Sequence, residues 1–461
     1  MPQQDRSNGF DVGRRATVVG FAGAALISAL SLLALDQATS VDANNWLIWA
    51  RQAAIGNPID IRHGFTVFKA LPVIYALPFA RVSPQLADLA WLWLVRFAAL
   101  SCSVLLFKVA ARNFGRLAGV IAALLPFALS TWVSFAIDGD SEPVCALLLL
   151  ASAWAVQARR LTSASVLLAF AGLMRPEVVG VLAAMFVWRA LHADARRAAG
   201  DLALASAIIA SGWVLAPLAF GTNFGDSARG AQSKIFVPNA KDGVFTLLPN
   251  TVWLLVAIGL WGAWRKRDAV LASVAAACAI WVAEVEVMGS LGWSGLDRYM
   301  FPPVIVMLAI AGAGAATLVE LVPNRAARRV AAGAVIAASC LLVAIGMPLN
   351  ADNLRARQAT ADSATSVIAA FNRIGGLKHW GNCRPFVGNT GRSLILARLL
   401  GEPFSSFTPI TFAPTLAFIP IRQKSNANGP MALNPKSAKL VAVAKPDWAL
   451  VYYAGARGCK R

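Results

Sequence analysis

The sequence predicts a polytopic α-helical membrane protein with about 11 transmembrane helices and a small C-terminal extracytoplasmic α/β domain. Three observations predict this fold class: the composition, the run of apolar segments, and basic residues in every second loop. Apolar residues make up 58% of the 461-residue chain and charged residues 14%, with a mean hydropathy of +0.61. A soluble domain is nearer one half apolar and one quarter charged, so this composition indicates a lipid environment.

Eleven apolar segments account for the predicted helices. The first, residues 16–35, is long enough to span a bilayer and lacks a convincing small-residue cleavage site, so we expect it to stay as a helix. A further stretch, residues 65–79, carries Pro72 and Pro78 and is too short to span, which is typical of a re-entrant or interfacial segment. The other ten segments begin near Ala87, Leu117, Glu142, Thr162, Val178, Leu202, Phe245, Ala269, Tyr299 and Arg329.

Basic residues in alternate loops predict the orientation. Cytoplasmic loops retain Lys and Arg because these residues resist translocation, which puts the N-terminus in the cytoplasm and the C-terminal region outside a plasma (inner) membrane. This rule explains about half of the formal net charge of +19, so the charge does not require a nucleic-acid partner. The loop residues are Arg112, Arg116, Arg159, Arg160, Arg189, Arg196, Arg197, Arg265, Lys266, Arg267, Arg325, Arg328 and Arg329.

A change in composition divides the chain into a transmembrane domain, residues 1–349, and a soluble domain, residues 350–461. Within the second domain we predict a helix over residues 359–374, strands over 440–444 and 448–453, and a loop over 425–435. Its excess of basic residues suits lipid headgroups or a phosphate-bearing substrate, or serves solubility alone. Cys383 and Cys459 could form a disulfide in this compartment, which the sequence leaves open.

The first outer loop contains the leading candidate for chemistry, Asp42. Trp46 follows it by one helical turn, so both side chains share one face of a short helix at the membrane surface. A carboxylate there can accept a proton from a hydroxyl or hold a divalent metal; the alternative is an ordinary helix exit with Trp46 as an interfacial anchor. His63 and Lys69 follow in the same loop, and Lys69 either meets a lipid phosphate or extends its amine to the interface. With three histidines in the chain, a histidine-based zinc site is not expected.

The second outer loop carries three carboxylates within five residues, namely Asp138, Asp140 and Glu142. They could coordinate a hard cation such as Mg²⁺ or Mn²⁺, or bind sugar hydroxyls. The alternative is a solvated loop followed by a helix start, where Glu142 complements the helix dipole.

Two arginines are expected at outer helix ends. Arg175 and Glu177 flank a proline between two apolar helices, and charges so near the bilayer are costly unless they are paired or used in function. Arg298 and Tyr299 open the tenth apolar helix and suit bidentate binding of a phosphate. In each place the alternative is structural: an ion pair that fixes the turn, or Asp297 holding Arg298.

These motifs, in this order and on one face of the membrane, resemble the GT-C superfamily of polytopic glycosyltransferases, in its bacterial mannosyltransferase-like and aminoarabinose-transferase-like branches. The resemblance covers residues 36 to about 321. It implies inverting transfer of a sugar from a polyprenyl-phosphate donor to an extracytoplasmic glycan, lipid or protein. By this resemblance Asp42 is the general base, Asp140 and Glu142 contact sugar, acceptor or metal, and Arg298 and Tyr299 bind the donor phosphate.

The chain departs from the commonest form of the family at one position. Asp42 is followed by Ala43, where an Asp-Glu pair is frequent, so a metal at this position and Asp36 as a rival base both stay open. Two other classes of protein also stay open: a transporter or flippase for a lipid-linked or anionic substrate, and a non-catalytic assembly protein that binds an anionic polymer. The apolar segments contain few ionisable residues for a transport path, chiefly Arg96, Glu284 and Glu286.

Overall fold

The computed structural model describes residues 7–35, 39–59, 61, 67–192, 195–222, 225, 247–291, 297–376, 384–387, 415–420, 438–444 and 448–453. The first half of the helical part contains α1 (Ser7–Ala34), α2 (Val41–Ala54), α3 (Ala70–Val82), α4 (Pro84–Leu124), a 3₁₀ turn (Leu125–Ala128), α5 (Ser130–Asp138), α6 (Glu142–Gln157), α7 (Leu161–Gly172) and α8 (Val178–His192). The second half contains α9 (Ala195–Ala210), a π turn (Ser211–Leu215), α10 (Ala216–Ala219), α11 (Asn250–Lys266), α12 (Ala269–Ser290), a 3₁₀ turn (Asp297–Met300), α13 (Phe301–Glu320) and α14 (Arg325–Arg373).

Every predicted apolar segment contains helix in the structure, but the segments do not all form separate long helices. The segments that begin near Ala87 and Leu117 lie in one element, α4, which bends at Gly115 where φ is 82°. Among the described residues, six helices are long and apolar enough to cross a membrane: Arg15–Ala34, Pro84–Ala128, Ala195–Ala219, Ala269–Ser290, Arg298–Glu320 and Arg325–Ala356. Four shorter apolar helices accompany them: Ala70–Val82, Glu142–Gln157, Leu161–Gly172 and Val178–Leu191.

Helix α13 is the centre of the bundle. It is apolar on all sides, and 94% of its apolar 18-residue stretch is buried. The corresponding fraction for α14, at the periphery, is 11%. A helix that is apolar all round is stable only where neighbours cover every face. Here α4 and α11 cover most of it, and glycines at the α11–α13 contact let the two backbones come close, as small residues do in membrane bundles.

We expect Gly314→Ala in α13 to lower the free energy of unfolding by about 1–3 kcal/mol, the usual cost of overpacking. A Cβ at this position would lie 1.9 Å from the carbonyl oxygen of Leu255, so the helices must separate. Gly333→Ala is the matched control, because a Cβ there meets nothing within 4 Å. Thermal unfolding of both variants in detergent checks this, and equal losses would contradict the packing argument.

The C-terminal region contains a four-stranded sheet of β1 (Arg384–Val387), β2 (Thr415–Pro420), β3 (Ala438–Ala444) and β4 (Trp448–Tyr453) in the order β1-β2-β4-β3. The β1–β2 pair is parallel and the other two pairs are antiparallel. β3 and β4 coincide with the two segments predicted as strands. The predicted loop 425–435 and both cysteines of the proposed disulfide, Cys383 and Cys459, lie outside the described residues.

The helix predicted over residues 359–374 is confirmed, but it begins much earlier than predicted. It is the last part of α14, which runs unbroken for 49 residues from the last apolar segment. Between Met347 and Arg373 the sequence contains no glycine to end the helix. It contains one proline, Pro348, which α14 accommodates in its interior.

Candidate active site

Ten of the predicted site residues meet at one end of the helical bundle. They come from the start of α2, the residue before α3, the α5–α6 loop, the start of α6, the α7–α8 turn and the 3₁₀ turn before α13. They are Asp42, Trp46, Lys69, Asp138, Asp140, Glu142, Arg175, Glu177, Arg298 and Tyr299. His63 and the rival base Asp36 lie outside the described residues.

Asp42 lies in the first turn of α2, where the positive end of the helix dipole favours a carboxylate. It is buried, and its Oδ2 is 2.6 Å from Nη1 of Arg298. Ser40 begins the helix as N-cap, accepting a hydrogen bond from the backbone N–H of Ala43. The helix therefore presents Asp42 to the rest of the site in a fixed direction.

Trp46 lies one turn after Asp42 and is 1% exposed. Its indole Nε1 donates to the carbonyl of Val67 at 3.2 Å, and its ring meets that of Trp91 edge to face at 6.0 Å. The alternative that Trp46 is an interfacial anchor at a solvated helix exit is wrong, because the side chain packs inside the protein.

Lys69 extends into the site rather than out to an interface. The side chain is buried; its Nζ lies 4.7 Å from the centre of the Trp46 ring and donates to the hydroxyl of Ser141. Burial and then the positive charge of Arg175 lower the pKa of Lys69 to about 8. The cation–π contact gives this ammonium a fixed position beside the acidic loop.

The α5–α6 loop is buried, so its interpretation as a solvated loop is wrong. Asp138, Asp140 and Glu142 are 2%, 6% and 2% exposed. Gly139 makes the turn at a φ of 75°, a conformation that glycine adopts without strain, and Trp91 donates to its carbonyl at 2.7 Å.

Asp140 differs in acidity from an ordinary aspartate. Its Oδ1 accepts a hydrogen bond from the hydroxyl of Ser40 at 2.6 Å. Burial, and then the charges of Glu142 and Asp42, raise the pKa of Asp140 to about 8. At neutral pH Asp140 therefore carries a proton and can donate a hydrogen bond, unlike an ordinary aspartate.

Arg175 joins three segments through one guanidinium. It forms an ion pair with Glu142, lies 3.8 Å from Oε1 of Glu177 and stacks on the ring of Tyr299 at 4.4 Å. The interpretation of the Arg175–Glu177 turn as an ion pair is therefore correct, and the pair extends to Glu142. Glu142 and Glu177, both buried, already compensate the positive charge of Arg175. Arg175 therefore holds parts of the site together.

Arg298 is the more accessible of the two arginines. Its side chain is 30% exposed, and its only described ion pair is the one with Asp42. The neighbouring Tyr299 is held by the indole of Trp281, which donates to its carbonyl at 2.9 Å. The structure thus places one accessible guanidinium and one buried ammonium, Lys69, around the Asp42 carboxylate.

Sequence reasoning missed two contributors, Ser40 and Trp91, and expected Ser141 only as a possible cap of α6. Ser40 had a usable signal, since a serine shortly before an acidic residue and an apolar run is typical of an N-cap. Trp91 had no such signal, because it acts through a contact with a distant segment, and the structure instead shows Ser141 accepting a hydrogen bond from Lys69. Within the described ranges no three His, Cys, Asp or Glu side chains come together as metal ligands, so the divalent metal stays a prediction.

Sequence comparison finds no matching protein-family model and no significantly similar curated protein. Structure comparison finds ArnT of Cupriavidus metallidurans. Its apo structure superposes with a TM-score of 0.57 at 16% identity, covering 95% of this chain and 98% of ArnT. ArnT bound to undecaprenyl phosphate superposes with a TM-score of 0.53 at 15% identity, covering 94% and 97%. The resemblance predicted from the motifs is confirmed for the fold alone: the chain shares its fold with ArnT over 95% of its length.

Proposed function

We propose that the chain is a membrane glycosyltransferase that moves a sugar, with inversion, from a polyprenyl-phosphate donor to an extracytoplasmic glycan, lipid or protein. The observation that carries the proposal is the buried Asp42 carboxylate, 2.6 Å from the accessible guanidinium of Arg298 and close to the Lys69 ammonium. One carboxylate and two cations are what a base-catalysed displacement of a phosphate requires. The ArnT structure with undecaprenyl phosphate supports a donor of this class.

Lys69 and Arg298 are the proposed phosphate ligands. Arg298 offers a planar set of donors that matches phosphate geometry, while Lys69 offers a compact charge. Arg175 is a less suitable ligand, because Glu142 and Glu177 already occupy its guanidinium. A polyprenyl phosphate keeps its headgroup near the membrane surface, so the two cations have to be held there by the protein.

The Asp42–Arg298 ion pair implies an exchange of partners. Arg298 occupies the carboxylate of Asp42 through this ion pair. A phosphate that takes over Arg298 leaves that carboxylate available to the acceptor hydroxyl when the donor is in place. Base catalysis is thereby coupled to donor binding.

The proposed reaction is a single displacement. Asp42 accepts the proton of an acceptor hydroxyl while that oxygen bonds to the anomeric carbon of the sugar. The bond from this carbon to the phosphate oxygen breaks, and its electron pair leaves with polyprenyl phosphate, whose charge Arg298 and Lys69 stabilise. Attack opposite the leaving group inverts the anomeric configuration. Neutral Asp140 would donate a hydrogen bond to a sugar hydroxyl.

The membrane arrangement belongs to the same proposal. It comprises about 11 crossings, a cytoplasmic N-terminus, an inner-membrane location, and a soluble domain of residues 350–461 outside. The alternating basic loops support this orientation. The site then lies on the extracytoplasmic side, where lipid-linked sugars meet cell-envelope acceptors.

We expect Lys69→Met to weaken binding of undecaprenyl phosphate by about 10–100-fold, the loss of one charge-assisted contact. The pKa of Lys69 is lowered to about 8, so the ammonium is present below this pH and is lost above it. Wild-type affinity should therefore fall more steeply as pH rises through 8 than the affinity of Lys69→Met, in which Asp140 alone of the two groups still titrates in this range. Titration in nanodiscs measures both effects. Lys266→Met, at the other end of the bundle, is the control, and a parallel pH profile for wild type and Lys69→Met would contradict the assignment.

The activity is tested with purified protein and membranes containing a panel of radiolabelled polyprenyl-phosphate sugars. We expect label to reach an acceptor together with release of polyprenyl phosphate, and the product to have the inverted configuration. Movement of an intact donor across vesicles without release of phosphate would instead support the flippase alternative. Binding with neither transfer nor movement would support the assembly protein.

A further inference from the structure

Ser40 connects two parts of the site that are far apart in the sequence. Its backbone N–H donates to the carbonyl of Asp138 at 2.7 Å, and its hydroxyl donates to Oδ1 of Asp140 at 2.6 Å. The same hydroxyl oxygen accepts the N–H of Ala43 at 3.2 Å and so caps the helix that carries Asp42. One side chain therefore fixes both the base candidate and the acidic loop.

We propose that Ser40 is a positioning residue, which holds Asp42 in register with Asp140. This inference rests on the proposed function, in which Asp42 is the base. The groups that face Asp140 are Asp42 on α2, Asp138 at the end of α5, Glu142 at the start of α6, and Arg298 before α13. Ser40 is the neutral member of this charged set, so its substitution changes hydrogen bonding without changing net charge.

Infrared difference spectroscopy tests the contact between Ser40 and Asp140 and needs no sugar donor. Full-length protein in nanodiscs is taken between acid and alkaline pH, and the carboxylic acid band that disappears in Asp140→Asn is assigned to Asp140. In Ser40→Ala we expect this band to change frequency, because the carboxyl group of Asp140 loses its hydrogen bond to Ser40.

Two further variants separate positioning from simple loss of a helix cap. Ser40→Thr keeps the hydroxyl and should restore the wild-type band. Ser83→Ala removes another serine N-cap, one that accepts from the N–H of Leu86 at 3.0 Å, and should leave the band unchanged. A band in Ser40→Ala with wild-type frequency would overturn the inference, as would the lack of any band that Asp140→Asn removes.

Kinetics then distinguish the inference from the proposed function. With the donor found in the transfer assay, Ser40→Ala should lower kcat by about 10–100-fold with little change in KM, because a small misplacement of the base slows the chemical step. Ser40→Thr should recover most of this rate. Loss of activity in Asp42→Asn with wild-type kcat in Ser40→Ala would exclude the positioning role of Ser40 and leave Asp42 as the base. Full activity in Asp42→Asn would exclude Asp42 as the base.

Discussion

Asp42→Asn is expected to lower the rate of sugar transfer by about 10²–10⁴-fold, the usual contribution of a general base. Asparagine fills nearly the same volume but cannot accept the acceptor proton. The substitution also removes the negative partner of Arg298, so affinity for undecaprenyl phosphate should stay the same or rise. A loss confined to kcat, with donor binding intact, distinguishes a base from a residue that only binds substrate.

The matched control for this substitution is Asp268→Asn. Asp268 is the N-cap of α12, at the end of the bundle opposite the site. Its side chain accepts hydrogen bonds from the N–H groups of Val270 and Leu271. Asparagine is an equally good N-cap, so transfer should be unchanged. Equal transfer rates for Asp42→Asn and wild type would exclude Asp42 as the base.

Glu142→Gln is expected to lower the free energy of unfolding by about 3–5 kcal/mol, because it leaves a buried guanidinium without its nearest negative partner. Arg175 and Glu142 each have side chains that are 2% exposed, and the remaining acid, Glu177, lies 3.8 Å from Arg175. Glutamine keeps the shape of the side chain, so the loss reports charge rather than a cavity.

Asp352→Asn provides the comparison for Glu142→Gln. Asp352 pairs with Arg355 on α14, where the two side chains are 71% and 79% exposed, and exposed pairs contribute about 0–1 kcal/mol. Unfolding of both variants in the same detergent measures the difference. Similar stabilities for the two would mean that the Arg175–Glu142 pair does not hold the site together.

The sequence identified the candidate residues because charges near a bilayer are costly and therefore informative. Asp42, Arg175 and Arg298 each stood out as an ionisable group at the end of an apolar segment. The sequence could not show which residues they pair with. Glu142 and Arg175 are 33 positions apart, and only tertiary packing brings them together. Trp91, which holds the acidic loop through the carbonyl of Gly139, looked like any other residue of an apolar helix.

Burial was the main error of interpretation. Trp46 and Lys69 had familiar surface explanations, an interfacial anchor and an extended amine. Both side chains instead lie inside the protein against each other, because α2 packs on α3 and α4. Helical periodicity predicts which residues share a face of a helix. Whether that face meets lipid, solvent or another helix depends on tertiary contacts, which periodicity does not predict.

A structure determined with bound undecaprenyl phosphate tests the central claim most directly. The account predicts a phosphate within hydrogen-bond distance of Lys69 Nζ and the guanidinium of Arg298, with Arg298 withdrawn from Asp42 and the Arg175–Glu142 pair intact. A phosphate bound elsewhere, or bound here while Asp42 and Arg298 keep their ion pair, would contradict it.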